Sequence, residues 1–214
     1  MSSIHIIHAL DDTTEFLSVF KNYFNDNFFV IEPNVDSVNE SISFLEQVPE
    51  EDLIVFLGHG HSTGLYAPES ESFEKEIFID INLANKVFKN KKVILLTCNS
   101  NQFIKKIINF RYIVGFGNIL SSIQEVNAEA EVSTGIYRNL SNQDIEYFNH
   151  SYCSAVVLAI KKYQSGLYNF TELPKLIEFF INQRINKTLL KKETKNRVEI
   201  AKLLFEFRNE MDFC

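Results

Sequence analysis

Two side chains 39 residues apart, His59 and Cys98, are of the types that form a nucleophilic pair. Each closes a short apolar, β-branched run: Ile54-Val55-Phe56-Leu57-Gly58-His59-Gly60 and Val93-Ile94-Leu95-Leu96-Thr97-Cys98-Asn99-Ser100. A thiol near its free pKa of about 8.5 is only a few per cent thiolate at neutral pH. A nearby imidazole takes the proton as general base and later returns it to a leaving amine as general acid. Gly60 has no Cβ, so its N–H can approach a substrate closely. Together with the Cys98 N–H it would stabilise a tetrahedral oxyanion, where each donor is worth about 2.7–4 kcal/mol. Taken singly, these residues have plainer readings: Cys98 as a small buried hydrophobe, and Gly-His-Gly as a turn. It is the pairing at matched strand ends that favours a site.

The elements that must position the pair follow from the patterning. Ile4 to Leu10, Phe28 to Ile31, Leu53 to Leu57, Val93 to Leu96 and Tyr112 to Phe116 read as strands, the apolar ones as buried parallel strands. Asp12 with Glu15, Ser37 with Glu40 and Ser122 with Glu125 have capping-box spacing and predict helix starts. Helical periodicity then runs through Phe16, Phe20 and Tyr23, through Ile42 and Leu45, and over Phe103 to Ile108. It resumes with Val126, Ala130, Tyr137 and Leu140, with Ile145 to Tyr163, Leu173 to Ile181 and Val198 to Phe207. Ile77 to Phe88 holds a short helix. Alternating strands and helices followed by helices predict an α/β fold with a mostly parallel sheet flanked by helices. In such sheets ligands sit beyond the carboxyl ends of the strands, so His59 and Cys98 would share one crevice. The polar segment Gly58 to Glu76 is long for a connection and reads as an irregular loop, a gate over that crevice.

Length and composition bound the rest. The 214 residues, 45% of them apolar, suit a single domain over 1–214 with a helical C-terminal part from about residue 165. A net charge of −7 argues against nucleic-acid binding. The locally basic stretch Lys187 to Lys202 reads as a solvated helix face. Three cysteines fit a reducing compartment better than a disulfide framework. The start of the chain lacks a basic segment before its apolar residues, and no run approaches the roughly 20 apolar residues that span a bilayer. The expectation is a cytoplasmic protein with no membrane partner and no cofactor.

At these residues the chain resembles the caspase-like cysteine peptidases, and most of all their CHAT group. That family places a catalytic His in a Gly-His-Gly turn after an apolar strand, matched by Leu57-Gly58-His59-Gly60, and a catalytic Cys after the next long strand, matched by Leu95-Leu96-Thr97-Cys98. Tyr112-Ile113-Val114-Gly115-Phe116-Gly117 is similar to the family's next strand, Ile136-Tyr137-Arg138-Asn139-Leu140 to the following helix, and Ala155 to Tyr163 to the Ala-rich helix after it. The resemblance covers Leu53 to Tyr163. Thr97 stands where the family usually has Ala, and Asn118-Ile119-Leu120-Ser121 replaces its frequent Trp and acidic residue. The caspase motif that goes with cleavage after Asp is absent. The resemblance implies a caspase-like three-layer fold and a cysteine endopeptidase with His59 as base and acid, Cys98 as nucleophile, and Gly60 and Cys98 as oxyanion donors. It also implies protein or peptide substrates, and regulated proteolysis such as bacterial antiviral defence, with a regulatory protein partner.

Asp11 and Asp12 end the first strand at the same crevice edge, where an acidic residue would select Lys or Arg before the scissile bond. A helix N-cap, which needs only Asp12, is the better explanation. Glu125 is a further substrate-binding candidate, also explained by capping. Two other functions stay open: a catalytically silent or partner-activated caspase-like interaction module, and a metal-dependent hydrolase using His59 and His61 with Asp11 or His150.

Overall fold

A computed structural model describes residues 3–132, 137 and 139–214. In chain order its elements are β1 (Ile4–Ala9), a 3-10 turn (Glu15–Phe20) running into α1 (Lys21–Phe24), β2 (Phe28–Ile31), α2 (Val35–Gln47) and β3 (Leu53–Leu57). Next come β4 (Gly60–His61), β5 (Gly64–Tyr66), β6 (Ile77–Asp80), α3 (Ile81–Val87), β7 (Lys92–Leu96), α4 (Ser100–Ile104) and β8 (Tyr112–Gly115). The chain continues with α5 (Ile123–Val132), α6 (Asn142–Gln164), α7 (Leu173–Leu190), α8 (Arg197–Asn209) and β9 (Asp212–Phe213).

The main sheet has the order β2-β1-β3-β7-β8-β9, parallel throughout except for β9, which runs antiparallel to β8. Alternation along each strand feeds two cores. Leu53, Val55 and Leu57 of β3, with Ile94 and Leu96 of β7, pack toward the 3-10 turn and helices α6, α7 and α8. Ile54, Phe56, Val93 and Leu95 face the other way, toward Leu45 of α2, Ala84 and Val87 of α3, and Phe103 and Ile104 of α4. This is the three-layer α/β arrangement that the strand and helix patterning predicts. Much of the phenylalanine content fills these layers: Phe20, Phe56, Phe88, Phe103, Phe116 and Phe148 are fully buried. All five residues of β3 have no solvent exposure. At about 1.5–3 kcal/mol each, their burial is comparable with the whole net stability of a domain, about 5–15 kcal/mol. Register at the centre of the sheet is therefore fixed far more firmly than anything at its rim.

Several local expectations differ from the structure. The segment after His59 is no structureless loop: β4, β5 and β6 form a small antiparallel sheet, with a Ser70–Phe73 bridge at its tip. The glycine-containing β4 and β5, of two and three residues, carry too little alternation to be read from sequence, and the apolar β6 runs directly into α3. The cap of α2 is Asn34, which accepts from Ser37 N at 2.8 Å, and Ser37 itself is inside the helix. The capping box at Ser122 and Glu125 does form, with bonds of 3.2 and 3.0 Å in the two directions. α4 starts earlier than expected, at Ser100. Ile136 and Arg138 lie outside the described residues. Among the described residues no helix is long and apolar enough to cross a membrane.

β1 carries a buried histidine beside the site rim. His8 is fully enclosed, with Nε2 3.1 Å from the Thr14 carbonyl oxygen. Burial pushes the imidazole down to about 4, against smaller opposing effects of that bond and of Asp11. The unfolded chain therefore binds a proton near pH 6.5 that the folded one refuses until about pH 4. Stability from this group is whole above 6.5 and falls as the pH is lowered through that window, by about 3 kcal/mol in total. Denaturant unfolding measured at pH 7 and pH 4 should show this loss, and His8→Gln should flatten it.

Candidate active site

Register brings the expected pair together. Leu57 of β3 lies opposite Leu96 of β7, and His8 of β1 opposite Leu57. His59 and Cys98 each stand two residues beyond their paired leucine, and Asp11 two beyond the end of β1. Three neighbouring parallel strands thus deliver an imidazole, a thiol and a carboxylate to one rim. The turns that follow are built for close approach. Gly58 has φ +151°, and a Cβ there would meet Ala9 Cβ at 2.9 Å. At Gly60 a Cβ would lie 2.3 Å from Thr97 Oγ1 and 2.8 Å from the Cys98 carbonyl oxygen, so the two rim turns touch only because this residue is glycine.

His59 and Cys98 line one small cavity with Gly58, Thr97, Ile119 and Tyr152. Its volume is about 20 Å³, room for about one water and far below the several hundred Å³ typical of a ligand pocket. The Cys98 thiol donates to the Ile119 carbonyl oxygen at 3.3 Å. Burial pushes this thiol up to about 11, the charge of Glu125 adds to the rise, and Lys75 opposes it. The resting sulfur is therefore a neutral thiol. Ile119 belongs to a segment held at both ends: Asn118 N donates to Glu210 Oε2 at 2.9 Å, and Asn149 Nδ2 donates to the Ser121 carbonyl oxygen at 2.8 Å.

The imidazole is held from the other side. His59 Nε2 lies 2.6 Å from Thr13 Oγ1 and 3.5 Å from Asp11 Oδ2. Asp11 Oδ1 accepts from Thr13 N at 3.0 Å, Thr13 Oγ1 at 2.7 Å and Thr14 N at 3.1 Å. Burial pushes this carboxyl up, but the neighbouring His59 imidazole and the Thr13 donors outweigh it and hold the group below the usual carboxylate range. With its side chain only 2% exposed, Asp11 faces His59 rather than a substrate. It is also the residue whose side chain collects the N–H groups of the turn, the part expected of Asp12; the 3-10 turn has Thr14 at its cap with no side-chain bond.

The remaining candidates fall outside the cavity. Asp12 is exposed and lines a second hollow of about 420 Å³ with Asp11, Thr13, Glu69, Glu71, Glu74 and Lys75. Glu125 Oε2 accepts from Ser121 N, Ser121 Oγ and Ser122 N, so it caps α5. His61 is exposed, with Nδ1 2.9 Å from Thr63 Oγ1, and His150 is exposed on α6. Among the described residues no three His, Cys, Asp or Glu side chains are grouped to hold a metal ion. Thr13 and Ile119 escaped the sequence reading. For Thr13 a signal existed: Asp11-Asp12-Thr13 carries an Asx-turn, in which the acid binds the N–H two residues on. For Ile119 there was none, since only its carbonyl acts. No family model matches the chain, and no curated protein matches it.

A thiol this basic gives a kinetic signature. Alkylation of Cys98 by iodoacetamide, followed by peptide mass spectrometry, should rise about tenfold per pH unit from pH 7 to 10 and level off only near pH 11. Buried Cys153 should stay unlabelled, and exposed Cys214 should be modified throughout. A plateau for Cys98 below pH 8 would mean that His59 has already taken its proton.

Proposed function

We propose that this chain is a cysteine endopeptidase of the caspase-like CHAT type, acting on a protein or peptide through His59 and Cys98. The observation that carries the reading is the shared cavity at the matched ends of β3 and β7, with the thiol on one wall and a tethered imidazole on another. In the reaction Cys98 gives its proton to His59 as the sulfur attacks the scissile carbonyl carbon. A C–S bond forms and the carbonyl oxygen becomes an oxyanion facing the N–H groups of Gly60 and Cys98. Collapse breaks the C–N bond, and the amine leaves with the proton from His59. Water, with His59 again as base, then releases the acid and restores the thiol.

The small cavity and the neutral thiol describe a latent form. A peptide reaches the sulfur only after the segment around Ile119 moves, which supports activation by substrate or by a regulatory partner. Next to the turn that holds His59, the hollow lined by Asp12, Glu69, Glu71 and Glu74 favours a basic side chain near the cut. A metal-dependent reaction through His59 and His61 has no comparable support, because His61 turns to Thr63.

A peptide library incubated with the protein, and with Cys98→Ala and His59→Ala, tests the proposal. Cleavage should vanish in Cys98→Ala and fall at least about 10²-fold in His59→Ala. Sites should be enriched in Lys or Arg, and the pair Asp12→Asn with Glu71→Gln should remove that enrichment. Equal cleavage by wild type and Cys98→Ala would sink the reading.

A further inference from the structure

We propose that Asp11 and Thr13 act as positioning residues that lock His59 in a single tautomer, proton on Nε2 and lone pair on Nδ1, so that Nδ1 is the atom that takes the Cys98 proton. The assignment follows from counting hydrogens. A carboxylate has no proton to give, so at 2.7 Å the Thr13 hydroxyl must donate its one hydrogen to Asp11 Oδ1. With that hydrogen spent, Thr13 Oγ1 can only accept from His59 at 2.6 Å, and Nε2 must be the donor. In a neutral ring the bare nitrogen is then Nδ1.

The rest of the turn serves this arrangement. Thr13 N and Thr14 N hold Asp11 Oδ1 from the backbone side. The Thr14 hydroxyl donates to the Ala9 carbonyl oxygen at 3.0 Å and accepts from Asp11 N at 3.0 Å, which fixes the turn to the end of β1. Asp11 Oδ2 makes no hydrogen bond and lies 3.5 Å behind the Nε2–H. Its negative charge is therefore placed to stabilise the imidazolium that forms when the ring takes a second proton, at Nδ1. Neither residue touches the thiol; both act through the ring.

The proposal rests on the peptidase reading only for the source of the proton that Nδ1 receives, and the experiment separates the two. Nitrogen-15 NMR of the His59 ring in the full chain, at a pH where the ring is neutral, should show the Nε2–H form in wild type. Thr13→Val should give a mixture of tautomers, Thr13→Ser should restore the single form, and Asp11→Asn, which keeps the shape of the acid, should lose it. On any peptide the wild type cuts, Thr13→Val should lower kcat about 10²-fold with little change in KM, and Thr13→Ser should stay within about threefold of wild type. An Nε2–H ring lost in Thr13→Val and regained in Thr13→Ser supports the lock even if no peptide is cleaved, in which case only the peptidase reading falls. An Nδ1–H ring in wild type, or one tautomer common to all four proteins, overturns the lock, and leaves the peptidase reading standing if cleavage persists.

Discussion

The site depends on one constraint, the register between β1, β3 and β7. Leu57 faces both Leu96 and His8, and these strands are enclosed between two helical layers. Because side chains alternate along a strand, a slip of one residue would turn Leu57 out of one core and into the other. It would equally carry His59 away from Cys98 and from the turn at Asp11. The five buried residues of β3 thus set the positions of the polar groups at the rim, including a buried carboxylate and a high-pKa thiol.

How the awkward groups are satisfied divides the rim in two. On the imidazole side the turn is densely bonded: Asp11 Oδ1 takes three hydrogen bonds, Thr13 Oγ1 gives one and receives one, and Thr14 ties the turn to Ala9, while Asp11 Oδ2 is left without a hydrogen bond. On the sulfur side the bonding is minimal, one thiol contact to the Ile119 carbonyl oxygen, and Thr97 Oγ1 is buried without a partner. In the proposed peptidase reaction this arrangement would align the imidazole in advance and leave the sulfur free to move toward a carbonyl. The segment over the sulfur reaches Glu210 beyond α8 and Asn149 on α6, so it is tied to the helical layer rather than to the sheet.

The central strands were legible because the apolar runs Leu53 to Leu57 and Val93 to Leu96 have few other readings, and His59 and Cys98 stood out as reactive residues closing such runs. The small β4-β5-β6 sheet was not, since Gly60, His61 and Gly64 give no hydrophobic period and Ile77-Phe78-Ile79 continues without a break into α3. Helix starts were read correctly at Ser122, where both capping partners are used, and misread at Ser37, because the helix starts one turn earlier with Asn34 as cap, and at Asp12, where the adjacent Asp11 takes the N–H groups of the turn. Spacing alone cannot decide between competing capping residues; the turn geometry does.

Asp11 illustrates why a site's parts are easier to find than their roles. From sequence, an acid at the end of β1 is equally a cap, a substrate contact or an orienting group, because all three need only a carboxylate at that rim. What separates them is solvent. An acid that selects a basic side chain must be open to solvent, as exposed Asp12 is, whereas one that orients a base must be enclosed and supplied with donors, as Asp11 is. Enclosure of a charge without compensation is strongly unfavourable; here burial is outweighed by the His59 imidazole, followed by the Thr13 donors to Oδ1, which keep the carboxylate ionised. The Asx-turn is therefore more than a local backbone motif here: by satisfying Oδ1 through N–H groups and a hydroxyl, it leaves the charge on Oδ2 directed at the imidazole.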